Sequence, residues 1–196
     1  TTKRYGASRL PKGSTVEDWP FGIEELEPYY DKVEYETGVS GQAGNIKGTI
    51  DPRGNIFEGP RNRAYPMPPL RSTGFIDLMT SAARGLGWHP IPGPAAINSR
   101  TYQGRSACMY HGFCNKGGCH VDAKNGPHLT TIPRAQETGR LKVVTRAHVT
   151  SIDTDASGRV TGVTYVTDGQ EFFQPAKVVL LASYTYENSR ILLLSK

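Results

Sequence analysis

The amino-acid sequence predicts an α/β fold: part of a doubly wound domain, joined to a β-meander and carrying a long Pro/Gly-rich excursion. Three observations predict it. Lys177 to Ala182 is apolar on consecutive positions, as a strand buried on both faces would be, and it leads directly into a helical pattern from Glu187. Ahead of it, short β-type runs alternate with Asp/Gly turns. From Gly38 to Leu70, Gly, Asn, Asp and Pro recur, with Asp51-Pro52-Arg53-Gly54-Asn55 and Pro66-Met67-Pro68-Pro69 as the densest breakers.

Residues 1–20 are polar, and Trp19-Pro20 introduces a helix in which Ile23, Leu26, Tyr30, Val33 and Thr37 share a face. Gly38 is its cap, and Pro28 fits the first turn of the continuing helix, where a missing N–H is harmless. Phe57 and Tyr65 argue that the excursion is ordered, and loops of such length are usually functional or disordered. A second helix follows, with Ser72 or Thr73 as N-cap, a packing face at Ile76, Met79, Ala83 and Leu86, and Gly87 as stop. After the Pro90 to Pro94 link and a cysteine segment, strands are expected at Leu141 to Thr145, His148 to Asp153, Arg159 to Val166 and around Phe172. Turns at Asp155 to Gly158 and Asp168-Gly169 separate the later ones. In doubly wound folds a strand-turn-helix unit places ligands at the strand's carboxyl end, here Ala182 to Tyr186. The texture divides the chain into 1–100, helices and excursion; 101–140, cysteine loop and connection; and 141–196, the strand-rich part.

Twenty-three Lys and Arg against 18 Asp and Glu give 23 − 18 = +5, spread along the chain rather than gathered into basic blocks, which argues against nucleic acid as a partner. The longest greasy stretch, Val178 to Ala182, is far too short for a membrane span. No signal peptide is legible. The chain opens on Thr1 and closes on an apolar run to Lys196 without a Gly cap or Pro stop, so an internal fragment is expected.

All three cysteines fall in Cys108-x5-Cys114-x4-Cys119, on a loop containing Gly112, Gly117 and Gly118. Three thiolates on such a loop could wrap an iron-sulfur cluster, because soft sulfur suits iron and Gly lets the backbone bend around it. With His111 or His120 they would also make a Cys3His zinc set. The spacing matches neither the common zinc patterns nor the ferredoxin one, so buried structural thiols, or a disulfide plus one free thiol, stay open. His89 and His148 are given no role, since nothing nearby supplies a nucleophile or a metal set. The sequence holds no Gly-x-Gly-x-x-Gly phosphate loop, Gly-x-Ser-x-Gly elbow or paired His-Glu metal motif.

Longer landmarks carry more. Asp18-Trp19-Pro20, Glu25-Leu26-Glu27-Pro28-Tyr29-Tyr30-Asp31, Gly38-Val39-Ser40-Gly41, Tyr65 to Pro69, Ala95-Ala96-Ile97-Asn98-Ser99, the cysteine loop, Thr131 to Ala135 and Tyr186 to Ser195 follow one another in order. Together they resemble the glucose-methanol-choline oxidoreductases, with gluconate 2-dehydrogenase flavoprotein subunits as the nearest branch. The resemblance implies a Rossmann-like FAD-binding domain at 141–196, with 1–100 beside the FAD and substrate region. It implies cofactor contacts at Val149, by its backbone at the adenine, and at Ala182 and Ser183 beside the adenosine.

The resemblance also implies Cys108, Cys114 and Cys119 as ligands of a three-iron four-sulfur cluster that passes electrons to a cytochrome c subunit. A small chaperone-like subunit, a periplasmic or membrane-associated address and a sugar, sugar-acid or alcohol substrate belong to the same expectation. In that family a histidine base takes the hydroxyl proton while hydride passes to the flavin; neither this base nor the pyrophosphate loop is recognisable here, so no catalytic residue is assigned. Two departures stand out: Tyr184 occupies a position where the family commonly has Gly, and Ser195-Lys196 replaces Ser-Gly. The rival expectation is a non-enzymatic, zinc-stapled interaction domain.

Overall fold

The computed structural model describes residues 2–112, 114 and 117–195, without the side chains of Lys3 and Arg4. The chain forms two compact units, Thr1–Arg140 and Leu141–Lys196.

The first unit begins with the short helix α1 (Thr2–Tyr5), then a 3-10 turn and the long helix α2 (Ile23–Thr37). Glu24 and Glu25 in the first turn complement the positive end of the helix dipole. Gly38 ends it as predicted, at φ 89°, with its N–H donating to Glu34 O at 2.8 Å. Pro28 sits one turn deeper than the sequence predicts, because the helix starts at Ile23 rather than just before the proline. The predicted packing face is covered only in part, with Leu26 and Thr37 half-buried. Ile23, Tyr30 and Val33 are exposed, whereas Glu27 is buried and Asp31 and Glu34 are half-buried.

These three carboxylates lie one turn apart along one stripe and grip successive residues of the excursion. Asn62 N–H donates to Glu27 at 2.7 Å and its side-chain amide bonds the other oxygen. Arg61 forks onto Glu34, and Arg63 onto Asp31 at 2.8 and 2.7 Å. The guanidinium planes also stack, Arg61 over Tyr65 at 3.9 Å and Arg63 over Tyr35 at 3.3 Å.

The excursion contains a small antiparallel hairpin, β1 (Asn45–Ile46) and β2 (Thr49–Ile50), that the sequence reading missed. Its turn residues Lys47 and Gly48 both have positive φ, 52° and 87°. Below it, Gly44 and Gly54 let two backbones touch; a Cβ on either would lie 2.4 or 2.5 Å from the other strand of chain. The helix α3 (Gly74–Gly85) matches its predicted span, with Thr73 as N-cap residue. Its apolar face is largely uncovered among the described residues: Ile76, Met79 and Leu86 are exposed, as are Phe75, Leu78 and Trp88, while Ala83 is half-buried.

What closes this unit is polar. Asn98, fully buried, accepts from Asn125 Nδ2 at 2.7 Å, and Asn125 also reaches Gly38 O at 2.6 Å. Arg105 spans Asn125 Oδ1 and Thr37 O, both at 3.1 Å. Buried apolar side chains of this unit include Ala43, Pro66, Met67 and Ala123. A 3-10 turn at Pro127–Leu129 and α4 (Thr131–Glu137) complete it.

The second unit is the predicted meander. Strands β3 (His148–Thr154), β4 (Val160–Thr167) and β5 (Gln170–Pro175) pair antiparallel in the order β3-β4-β5. Asp168-Gly169, at φ 48° and 77°, makes the two-residue turn. Helix α5 (Thr185–Leu194) follows and lies against β3, burying Ile191. Two expected strands are absent: Leu141 to Thr145 and Lys177 to Ala182 form no regular element. A strand exists through its partner's hydrogen bonds. Among the described residues no neighbour pairs with these segments, and Val178 and Leu180 stand 83% and 88% exposed.

Candidate functional site

Val149 and the Ala182-Ser183 segment, the expected cofactor contacts, both lie in the second unit, and α5 touches each. Val149 stands on β3 opposite Tyr165, beside a register shift before Ser151. Its carbonyl accepts from Arg190 at 3.4 Å, and Arg190 is in turn braced by Glu187 at 2.8 Å. Farther along, Ile152 N–H donates to Ser195 Oγ at 2.7 Å. Thus the outer edge of β3 is tied to α5 by side chains rather than by another strand.

Ala182 and Ser183 are exposed in the turn that enters α5. Ser183 N–H donates to Asn188 Oδ1 at 2.8 Å. Tyr184, next in line, has φ 75° and ψ 157°, a region that Gly alone enters easily and that costs another residue about 1–3 kcal/mol. The sequence marks Tyr184 only as a departure from Gly; the roles of Asn188 and Arg190 had no signal beyond their place in the Tyr186 to Ser195 landmark.

The cysteine loop hangs from the polar centre of the first unit, since Cys108 N–H donates to Asn98 O at 2.8 Å. All three cysteines are free thiols, half-buried, which removes the disulfide alternative. Their sulfurs take separate local partners. Tyr110 N–H points at Cys108 Sγ at 3.4 Å, and Cys114 Sγ meets His111 Nδ1 at 2.9 Å. His111 continues to His120 at 3.1 Å. Burial pushes the Cys119 thiol up, but backbone N–H groups of Val121, Lys124 and Ala123 aim at its sulfur and hold it below the ordinary value. Among the described residues no group of three or more His, Cys, Asp or Glu comes together as a metal set. The Cys3His zinc set is therefore corrected: the histidines stack on each other, 4.6 Å between ring centres, instead of converging with three thiols. Nor does this arrangement of thiols fit an iron-sulfur cluster as it stands.

Comparison with known proteins decides the family. The profile of GMC oxidoreductases matches residues 14–196. The chain belongs to the GMC oxidoreductase family. Membership implies FAD as the cofactor. Similar proteins include the gluconate 2-dehydrogenase flavoprotein of Pantoea cypripedii, 31% identical over 98% of this chain and 33% of the relative. The fructose dehydrogenase large subunit of Gluconobacter japonicus is 33% identical over 91% of this chain and 31% of its own length. Paromamine 6'-oxidase of Streptomyces fradiae is 36% identical over 54% of this chain and 16% of its own length. This GMC chain thus spans about a third of the length of the gluconate and fructose relatives. No described helix of it is long and apolar enough to cross a membrane.

Proposed function

We propose that this chain supplies the adenosine side of the FAD site in a longer dehydrogenase that oxidises an alcohol group of a sugar or sugar acid. The observation that carries the reading is the meander and α5 unit inside a GMC match, with the Val149 carbonyl and the Ser183 N–H bonded to one helix. In this reading Val149 presents its backbone to the adenine, and Ala182 and Ser183 border the adenosine. Lys177 to Ala182 becomes a buried strand of a doubly wound sheet when strands contributed by the rest of the protein flank it. That also explains why so apolar a run stands unpaired here. When bound, the flavin accepts the hydride from the alcohol carbon. The chain's own residues bind and orient; the base that takes the hydroxyl proton lies elsewhere in the protein.

The names of two relatives, a flavoprotein and a large subunit, support partner subunits, of which a cytochrome c acceptor and a small chaperone-like chain are the proposed ones. A periplasmic or membrane-associated address goes with them. Ligation of a three-iron four-sulfur cluster by Cys108, Cys114 and Cys119 rests on the family resemblance alone, since the sulfurs as placed do not converge on one point. Three thiols share one Gly-rich loop. Taking up a cluster would require the loop to turn the three sulfurs toward one point.

The full-length protein, expressed from the surrounding reading frame, tests this. Anaerobic addition of gluconate or fructose is expected to bleach the flavin absorbance, and iron with acid-labile sulfide is expected at cluster stoichiometry. The 196-residue chain alone is expected to bind FAD weakly and turn over nothing. Flavin that no sugar or sugar acid reduces would overturn the substrate class, and stoichiometric flavin on the isolated chain would overturn the division of labour.

A further inference from the structure

We propose that Asn188 is a positioning residue: it clamps the Ala182-Ser183 turn in the conformation that faces the adenosine of FAD. The proposal rests on the reading that this turn meets the cofactor.

The turn needs a clamp because of Tyr184. Its backbone sits at φ 75° and ψ 157°, where a Cβ is strained, and its side chain is exposed. The tilted ring of Tyr186, 5.7 Å away and itself exposed, gives it little support. Asn188 grips the chain on both sides of the strained residue. Its Oδ1 accepts Ser183 N–H at 2.8 Å just before Tyr184, and its own N–H donates to Tyr184 O at 2.8 Å just after.

Only the side-chain half of this grip depends on the residue type. Without an acceptor at position 188, Ser183 N–H loses its partner and Tyr184 relaxes to negative φ. That rotation swings Ala182 and Ser183 away from their present line. Arg190, two residues on, holds the Val149 carbonyl from the same helix, so α5 fixes the spacing between both cofactor-facing segments.

The strain makes a specific interdependence. The Asn188→Asp change keeps the acceptor oxygen and should keep the turn. The Tyr184→Gly change removes the strain, so the turn should then hold its shape without Asn188.

The experiment measures the FAD dissociation constant of the full-length protein by titrating flavin into the apoprotein, with circular dichroism to check folding. Asn188→Ala is expected to weaken FAD about tenfold, the release of one strained turn, while Asn188→Asp stays close to wild type. The double variant Tyr184→Gly with Asn188→Ala is expected to regain most of the affinity. An unchanged affinity in Asn188→Ala would overturn the proposal, as would a loss that neither Asn188→Asp nor the double variant repairs. Should Asn188→Ala fail to fold, the comparison of Asn188→Asp with the double variant decides it, both being expected to bind FAD. A wild-type protein that binds no FAD overturns the cofactor reading and the clamp with it; one that binds FAD with the variants indifferent overturns the clamp alone.

Discussion

Single residues hold the first unit together by hydrogen bonds more than by apolar burial. Asn98 is the clearest case: its side chain serves Asn125 and the carbonyl of Ser106 at 3.1 Å, while its backbone holds Ala123 and Cys108. Replacing it with Ala removes the acceptor of Asn125 Nδ2 and the donor to Ser106 O, and is expected to cost about 1–3 kcal/mol, seen as a lower urea midpoint at unchanged slope. Asp31 makes a pH-dependent contribution of known sign. The hydrogen bonds from Arg63 hold its carboxyl below the ordinary value when folded. A depressed carboxylate pKa stabilises the fold above the unfolded value and loses that contribution as pH falls through the folded one. The α2 clasp on Arg61 to Arg63 is therefore expected to loosen below about pH 4, and Asp31→Asn should flatten the acid limb of a melting-temperature profile. A melting profile identical in Asp31→Asn and wild type down to acid pH would contradict this.

At the scale of elements, the packing of the excursion gives a sharp expectation. Gly54→Ala places a methyl group against the backbone of Ala43 and Gly44 and is expected to destabilise by about 1–3 kcal/mol. Gly48→Ala, open around its Cβ but at φ 87°, should cost less. Thermal melts of the two variants rank them. Elements with local codes were legible in the sequence: α2 ended at Gly38, α3 began after Thr73, and the meander turned at Asp168-Gly169. Elements that depend on distant partners were not. Lys177 to Ala182 has the composition of a strand and lacks a neighbour. The α2 face was misread because periodicity registers apolar side chains, whereas the face that packs is a row of carboxylates matched to arginines 27 and 32 residues farther along the chain. Within the candidate site, Val149 came from family resemblance, whereas Ala182 and Ser183 came from the strand-turn-helix pattern and the resemblance together. Asn188 and Arg190 became visible only through their hydrogen bonds.

For the whole molecule, the exposed apolar surface goes with the proposal that this chain acts within a longer protein. Ile76, Leu78, Leu86, Val178 and Leu180 are exposed here, and relatives about three times as long have more chain to cover the equivalent positions. Both tryptophans, Trp19 and Trp88, are exposed as well, so the isolated chain should fluoresce with solvent-like emission that shifts to the blue in the full-length protein. Unshifted emission would mean that neither tryptophan is covered. The most direct measurement is the flavin released on denaturing the purified full-length protein, set beside that from the 196-residue chain. One FAD per full-length polypeptide and little or none on the isolated chain is the expected result. A full-length protein purified and reconstituted without any flavin would contradict the assignment of this chain to a flavin site.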